Sequence, residues 1–245
     1  MPQLNYNRPI AITRDIHWVG FHDREANLHC NPYLLIDHDD VIIFDPGSIP
    51  HFPIVTRKII DLVKPQDISI IVAHHQDPDV CGNLPVIEDV ISREDLRVVA
   101  HPNTIRLIRH YGVKSTFHSA MDNEGELTLA SGRKLQFIAT PYLHSPGAMV
   151  TYDPQTRSLF TSDLFGAIDT DWQLYAAEGF PQNMVSWHQL YMPSNAILRE
   201  TLEELAQLKI DRILPQHGSI IEGDQVEEAF ELLMELPCGR DLKRS

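Results

Sequence analysis

Short apolar runs separated by polar turn signals make up most of this chain. In the first third, NPYLLIDHDDVIIFDPGS gives an apolar run, a DHDD turn, a second apolar run and a DPG stop, which predicts a hairpin. IVTRKIIDLV follows, with Ile54, Ile59, Ile60 and Val63 at helical spacing. ISIIVAHH is nearly all apolar and rich in β-branched residues, so it predicts a strand covered on both faces. GNLPVIEDVIS reads as a short helix, LRVVA as a strand, and HPNTIRLIRHYG as a helix closed by Gly112.

Strands return in the second half as KLQFIATPYL, AMVTYD and SLFTSD, the last two parted by the turn DPQTR. A long helical tract is predicted over 183–208, ending in ILRETLEELAQL. DRILPQHGS reads as a strand running into a loop, DQVEEAFELLMEL as a terminal helix, and PCGRDLKRS as a polar tail. Helices thus interrupt two separate groups of strands. That pattern predicts an α/β protein of two packed sheets with helices outside, a four-layer αββα sandwich.

Composition narrows the setting. The chain has 245 residues, 43% of them hydrophobic, ample for one core, and a single domain over 1–245 is expected. The formal net charge of −14 argues against nucleic acid and anionic membrane surfaces as partners. Cys30, Cys81 and Cys238 are odd in number and far apart. They imply neither a disulfide framework nor a CxxC zinc site, and they fit a reducing cytoplasm. MPQLNYNRPI has no basic-then-apolar targeting pattern, and no apolar run reaches membrane-span length, so a cytoplasmic protein is expected. The 13 histidines make a metal site worth seeking.

Chemistry gathers just past the strand ends. His75, Asp77 and Asp79 follow SIIVAH, His144 follows FIATPYL, Asp163 follows SLFTS, and His217 follows RILPQ. Loops at strand ends are where a rigid scaffold presents functional groups. If these ends converge, three imidazoles and three carboxylates suit a pair of metal ions. A carboxylate has two oxygens and can join two cations, which makes Asp163 the candidate bridge. Taken singly, each residue is ordinary turn or surface chemistry; the order of the whole set is the signal. Its carboxylate-rich N/O character favours iron or manganese over zinc.

HHQDPDVCG, ATPYLHSPGAMVTYDPQTRSLFTSDLFGA and LPQHGSII resemble the metallo-β-lactamase fold, and more closely the diiron domain of flavodiiron proteins. The resemblance covers nearly the whole chain. It implies two iron ions, with zinc or manganese as substitutes. His75, Asp77 and His144 would hold one ion, Asp79 and His217 the other, with Asp163 bridging. Val80 stands where the family motif ends in His and has no donor atom, so it would leave the second ion one ligand short, to be filled by water, dioxygen or a side chain from elsewhere. No phosphate-binding loop follows His217, so no flavodoxin-like domain and no flavin bound in cis are expected. Both departures make the chain similar to stand-alone oxygen-binding diiron proteins that act in oxygen sensing.

The resemblance implies binding or reduction of dioxygen or nitric oxide, with an external electron donor or a signalling partner and a homodimer as the expected assembly. The alternative is a dinuclear zinc hydrolase of the metallo-β-lactamase type, against which Asp77 speaks, because such hydrolases carry His there. Cys81 is read either as a thiol activated at a helix N-terminus or as a small buried residue. Tyr142, two residues before His144, is read either as facing a metal-bound species or as core packing. His74 is expected to support the site from outside it, and His188 and Tyr191 are candidates to line a pocket or a dimer contact.

Overall fold

The computed structural model describes residues 4–21, 29–168 and 172–242. The DHDD turn closes the hairpin of β3 (Tyr33–Asp37) and β4 (Asp40–Phe44), paired from Tyr33–Phe44 to Asp37–Asp40. Two strands outside the sequence reading, β1 (Ile10–Ala11) and β2 (Ile16–Trp18), extend this sheet antiparallel at one edge. They are too short to carry a period. On the other side β5 (Ile68–Ala73), β6 (Arg97–Ala100) and β7 (Thr116–Ser119) run parallel to β4. Parallel neighbours require crossovers. Helices α1 (Phe52–Ile60), α2 (Pro78–Cys81), α3 (Leu84–Ile91) and α4 (Pro102–Ile108) lie in those connections.

The second sheet contains β8 (Glu126–Thr128), β9 (Lys134–Ala139), β10 (Met149–Asp153), β11 (Ser158–Ser162), β12 (Arg212–Pro215) and β13 (Ile221–Glu222), in the order β13-β12-β11-β10-β9-β8. Only β11–β12 is parallel. Between those two strands the chain makes α5 (Met184–Tyr191) and α6 (Asn195–Leu205), and α7 (Asp224–Glu235) follows β13.

Period-two alternation sorts the strand residues into layers. Leu35, Ile42, Phe44, Ile70 and Val72 face Leu135, Phe137, Met149, Phe160 and Leu214 between the sheets. The rings of Phe44 and Phe160 stack there at 4.0 Å. The opposite parity, Leu34, Ile43, Ile71 and Val98, packs against Val55 and Ile59 of α1 and Leu84, Ile87 and Ile91 of α3. Val150, Leu159 and Ile213 pack against α5, α6 and α7. This is the four-layer sandwich expected from the pattern. Among the described residues no helix is long and apolar enough to cross a membrane.

Three local expectations change. The tract 183–208 is two helices, because Pro193 cannot continue a helix and Met192 before it is extended (φ −83°, ψ 141°). In α1 the buried face is Val55, Lys58 and Ile59, while Ile54 and Ile60 are exposed. The carboxy-terminal tail docks through Gly239 N–H to the Gln189 carbonyl and Arg240 N–H to the Pro193 carbonyl; its last three residues lie outside the described residues.

At the end of the sandwich away from the β5, β9, β11 and β12 carboxyl termini, buried Arg133 joins the sheets. It donates to Asp153 in the second sheet (Nε–Oδ1 3.2 Å) and to Asp15 beside the first (Nη1–Oδ2 3.1 Å). Removing it strands the wholly buried Asp153 carboxylate. Arg133→Ala is expected to cost about 3–5 kcal/mol in urea unfolding, with much of the loss recovered in Arg133→Ala/Asp153→Ala. A loss below about 1 kcal/mol would show that the pair does not clamp the sheets.

Candidate metal centre

Four strands deliver their chemistry to one rim. β5 ends at Ala73 and passes directly to His74 and His75. Asp77 caps α2 in extended geometry (φ −70°, ψ 148°), Pro78 takes the first helical position, and Asp79 lies in that turn. His144 stands in the turn between β9 and β10, Asp163 one residue past β11, and His217 two past β12. Asp45, Ser162 and Phe165 at these strand ends all have positive φ (48°, 51° and 64°). Such conformations persist where the surroundings over-determine them.

All six side chains meet. Asp163 Oδ2 is 2.9 Å from His144 Nε2 and 3.6 Å from His75 Nε2. Asp163 Oδ1 turns the other way, 3.5 Å from His217 Nε2. Asp77 Oδ2 lies 3.3 Å from His144 Nε2 and 3.7 Å from His75 Nε2, and Asp79 Oδ2 lies 3.2 Å from His217 Nε2. The donors therefore form two groups, with one Asp163 oxygen facing each.

Most of these atoms approach without making hydrogen bonds. His75 Nε2, His217 Nε2 and Asp163 Oδ1 are buried and have no hydrogen-bond partner. Buried polar atoms are rarely left so, and three aimed at one space need an occupant. Cations satisfy lone pairs of both kinds, and the N/O donor set suits iron. The residues present fit a pair of metal ions.

Without cations, the cluster holds itself by opposite charge. His144 and His75 together keep the Asp77 carboxyl well below the usual carboxylate range. Asp163, and after it Asp77, raise the His144 imidazole to about 10. Burial pushes the Asp163 carboxyl up, but His75, His144 and His217 outweigh it and hold it at about 2. Burial likewise pushes His75 and His217 down, and the facing carboxylates, joined at His217 by Cys30, more than reverse it.

A surrounding layer fixes these orientations, and most of it was not legible in sequence. His217 Nδ1–H donates to the His29 carbonyl at 2.8 Å, so in the neutral ring Nε2 carries the lone pair toward the site. His75 Nδ1 bonds Ser162 Oγ at 3.0 Å. Trp187 Nε1–H donates to the Asp163 carbonyl at 2.9 Å, and its ring lies 4.9 Å from that of His217. Asp45, which read as part of a turn, accepts from both the backbone N–H (2.9 Å) and Nδ1–H (2.7 Å) of His74. Thr151 Oγ1 takes the other His74 nitrogen at 2.8 Å, leaving that ring no donor for a metal. A sulfur, Cys30, reaches the rim: its Sγ groups with donor atoms of Asp79 and His217, all within 4.8 Å of one another. Distant spacing in sequence gave no sign of it.

Other expectations are corrected. Tyr142 is neither on a strand nor in the core. β9 stops at Ala139, and Tyr142 sits in the following turn (φ 68°), 55% exposed. Cys81 ends α2 instead of opening a helix. It is buried, its Sγ–H points at the carbonyls of His75 and Asp77, and burial with nearby carboxylates pushes the thiol well up, the reverse of activation. His188 lines no pocket: it is fully buried, Nδ1–H donates to the Met184 carbonyl, and Nε2 accepts from Phe165 N–H. Tyr191 does border the site, its ring 5.8 Å from that of His144 and 4.2 Å from that of Trp187. Val80 is fully buried beside the rim and offers no donor.

Two sheets sandwiched by helices, with a histidine–aspartate cluster at one rim, define the metallo-β-lactamase fold in the form carried by flavodiiron domains. The flavodiiron protein from Giardia intestinalis superposes with TM-score 0.81 over 94% of this chain and 59% of its own, at 23% identity. A family model described as ODP family beta lactamase matches residues 28–218, and the chain belongs to that family. A structure described as the peroxy diiron species of the chemotaxis sensor ODP is 25% identical, covering 95% of this chain and 96% of its own with TM-score 0.80. A nitric oxide reductase of Moorella thermoacetica is 26% identical over 91% of this chain, which spans 61% of that relative's length.

Two outcomes follow from this geometry. A Cβ at Gly166 would lie 2.8 Å from both the Asp163 carbonyl oxygen and Trp187 Nε1. Gly166→Ala is expected to break their hydrogen bond, lower the melting temperature and quench or shift Trp187 fluorescence. Wild-type fluorescence and stability would refute that role. Burial lowers the His188 imidazole from 6.5 to about 4. As pH falls between those values the unfolded chain takes up a proton that the folded chain refuses. The His188 contribution to stability is therefore full above 6.5 and is lost toward 4, by roughly 3 kcal/mol. Urea unfolding should show a shallower pH slope in His188→Gln than in wild type; equal slopes would remove His188 as the cause.

Proposed function

We propose that this protein holds two iron ions at the rim and binds dioxygen or nitric oxide there. His75, Asp77 and His144 would hold one ion, and Asp79 and His217 the other. The observation that carries the reading is Asp163, whose two oxygens face different donor groups (2.9 Å to His144 and 3.5 Å to His217). Relatives named as nitric oxide reductase and as a diiron chemotaxis sensor support it. The match to the sensor over 96% of that protein's length supports gas sensing over turnover.

Ferrous iron held by these residues would supply electrons to the gas. The chain's own residues set access and charge around the site. Asp163, His75 and His217 are buried, whereas the Asp77, Asp79 and His144 side chains are 33%, 36% and 19% exposed, so ligand entry is over these three. Tyr191 and Trp187 on α5, four residues apart and thus on one face, cover the rim beside that opening. Asp77, beside two imidazoles, puts a carboxylate where the zinc hydrolases carry a third, which weakens the hydrolase alternative.

Anaerobically reconstituted protein should hold about two iron ions per chain and change its visible spectrum stoichiometrically with dioxygen or nitric oxide. Asp163→Asn, which keeps the shape and removes the charge, should lower the content to about one or fewer. Full loading of Asp163→Asn would defeat the bridging role. Two ions with no response to either gas, or zinc with esterase turnover, would overturn the function. Steady turnover with excess reductant would favour a reductase served by an external donor; a single response would favour a sensor with a signalling partner.

A further inference from the structure

Cys30 stands where a missing ligand is needed. Val80 has no donor atom, and among the described residues the group on that side of Asp163 otherwise has only Asp79 and His217. Cys30 Sγ joins their donor atoms, all within 4.8 Å of one another, and His217 Nε2 is fully buried there without a hydrogen-bond partner. We infer that Cys30, juxtaposed with Asp79 and His217, is a thiolate ligand to the second metal ion, supplying the donor that Val80 lacks. This rests on the two-metal reading above.

The backbone holds Cys30 in register with His217. On one side, the His29 carbonyl accepts His217 Nδ1–H at 2.8 Å. On the other, Asn31 N–H donates to the Gln216 carbonyl at 2.8 Å, and Asn31 Nδ2 donates to the carbonyls of Pro215 (3.1 Å) and Gly218 (2.9 Å). Residues 29–31 are thus laced along 215–218, with the sulfur between the two anchors. A cysteine that only filled space would need no such fixed approach to a carboxylate and an imidazole.

Charge points the same way. Asp77, Asp79 and Asp163 leave a pair of divalent ions with one uncompensated positive charge, which is costly in a site this buried. A thiolate cancels it. On coordination the S–H bond breaks, sulfur keeps the electron pair for the metal, and the proton leaves to solvent.

Anaerobic titration with cobalt(II) alone reads the sulfur directly, through sulfur-to-cobalt charge-transfer absorption. The wild type should bind about two ions and show the band. Cys30→Ser should lose the band and bind the second ion at least about tenfold more weakly. Cys81→Ser/Cys238→Ser, whose only remaining cysteine is Cys30, should keep both, and this variant decides the matter if Cys30→Ser does not fold. In the Cys30→Ser background, Val80→His should recover affinity without the band. Two ions bound with no band, or a band that survives Cys30→Ser, overturns the inference and leaves the metal centre standing. Failure of wild type to bind cobalt or iron overturns the metal centre and this inference with it.

Discussion

Asp163 lies almost wholly out of water, with its two oxygens turned to different imidazoles, and a carboxylate so placed must be compensated. The rest of the rim follows from that need. His144 meets one oxygen closely enough to share a proton, while His217 meets the other at a distance too long for a good bond. Three buried atoms without partners, against such strong mutual attraction, mark a space shaped for something more highly charged than a proton. Full protonation of the imidazoles would balance the carboxylates in the absence of metal. It would not satisfy the lone pairs with good geometry.

The sandwich makes this arrangement affordable. Strands β5, β9, β11 and β12 belong to two sheets, yet their carboxyl ends share one rim because the sheets pack through Phe44, Phe160, Val72 and Leu214. His74 links the two at the rim: Asp45 of the first sheet binds one nitrogen and Thr151 of the second binds the other. Arg133 links them at the far end. With both ends fixed, the ligand atoms approach one another at distances set by the backbone more than by side-chain freedom.

Much of this was readable from residue order. The hairpin, the doubly covered strand at 68–73 and the position of each imidazole and carboxylate at a strand end rest on local periodicity and turn chemistry, which a short window contains. What was not readable depends on the third dimension. Nothing near Cys30 in the sequence mentions His217, because the link runs through main-chain carbonyls at residues 29, 215 and 218 that have no residue-type signature. Tyr142 misled for a related reason. Two-residue spacing implies a shared face only while the strand lasts, and β9 ends three residues earlier. Pro193 was a local signal, and it divides the tract 183–208 as proline should.

The two halves of the rim are braced differently, although each carries a partly exposed carboxylate, Asp77 at 33% and Asp79 at 36%. The Asp79–His217 half is clamped: the strap 29–31 runs along the 215–218 loop, and Trp187 packs its ring on His217 while holding the Asp163 carbonyl. The His75–Asp77–His144 half is braced less evenly. Ser162 fixes His75, but Asp77 and His144 are partly exposed and bordered by half-exposed Tyr191. The clamped half can keep its geometry through changes of charge, and the less braced half can shift without breaking the sandwich's hydrogen bonds. Asp163, bonded through its carbonyl to the clamped side and through Oδ2 to the less braced side, is the group through which a movement at one half is felt at the other.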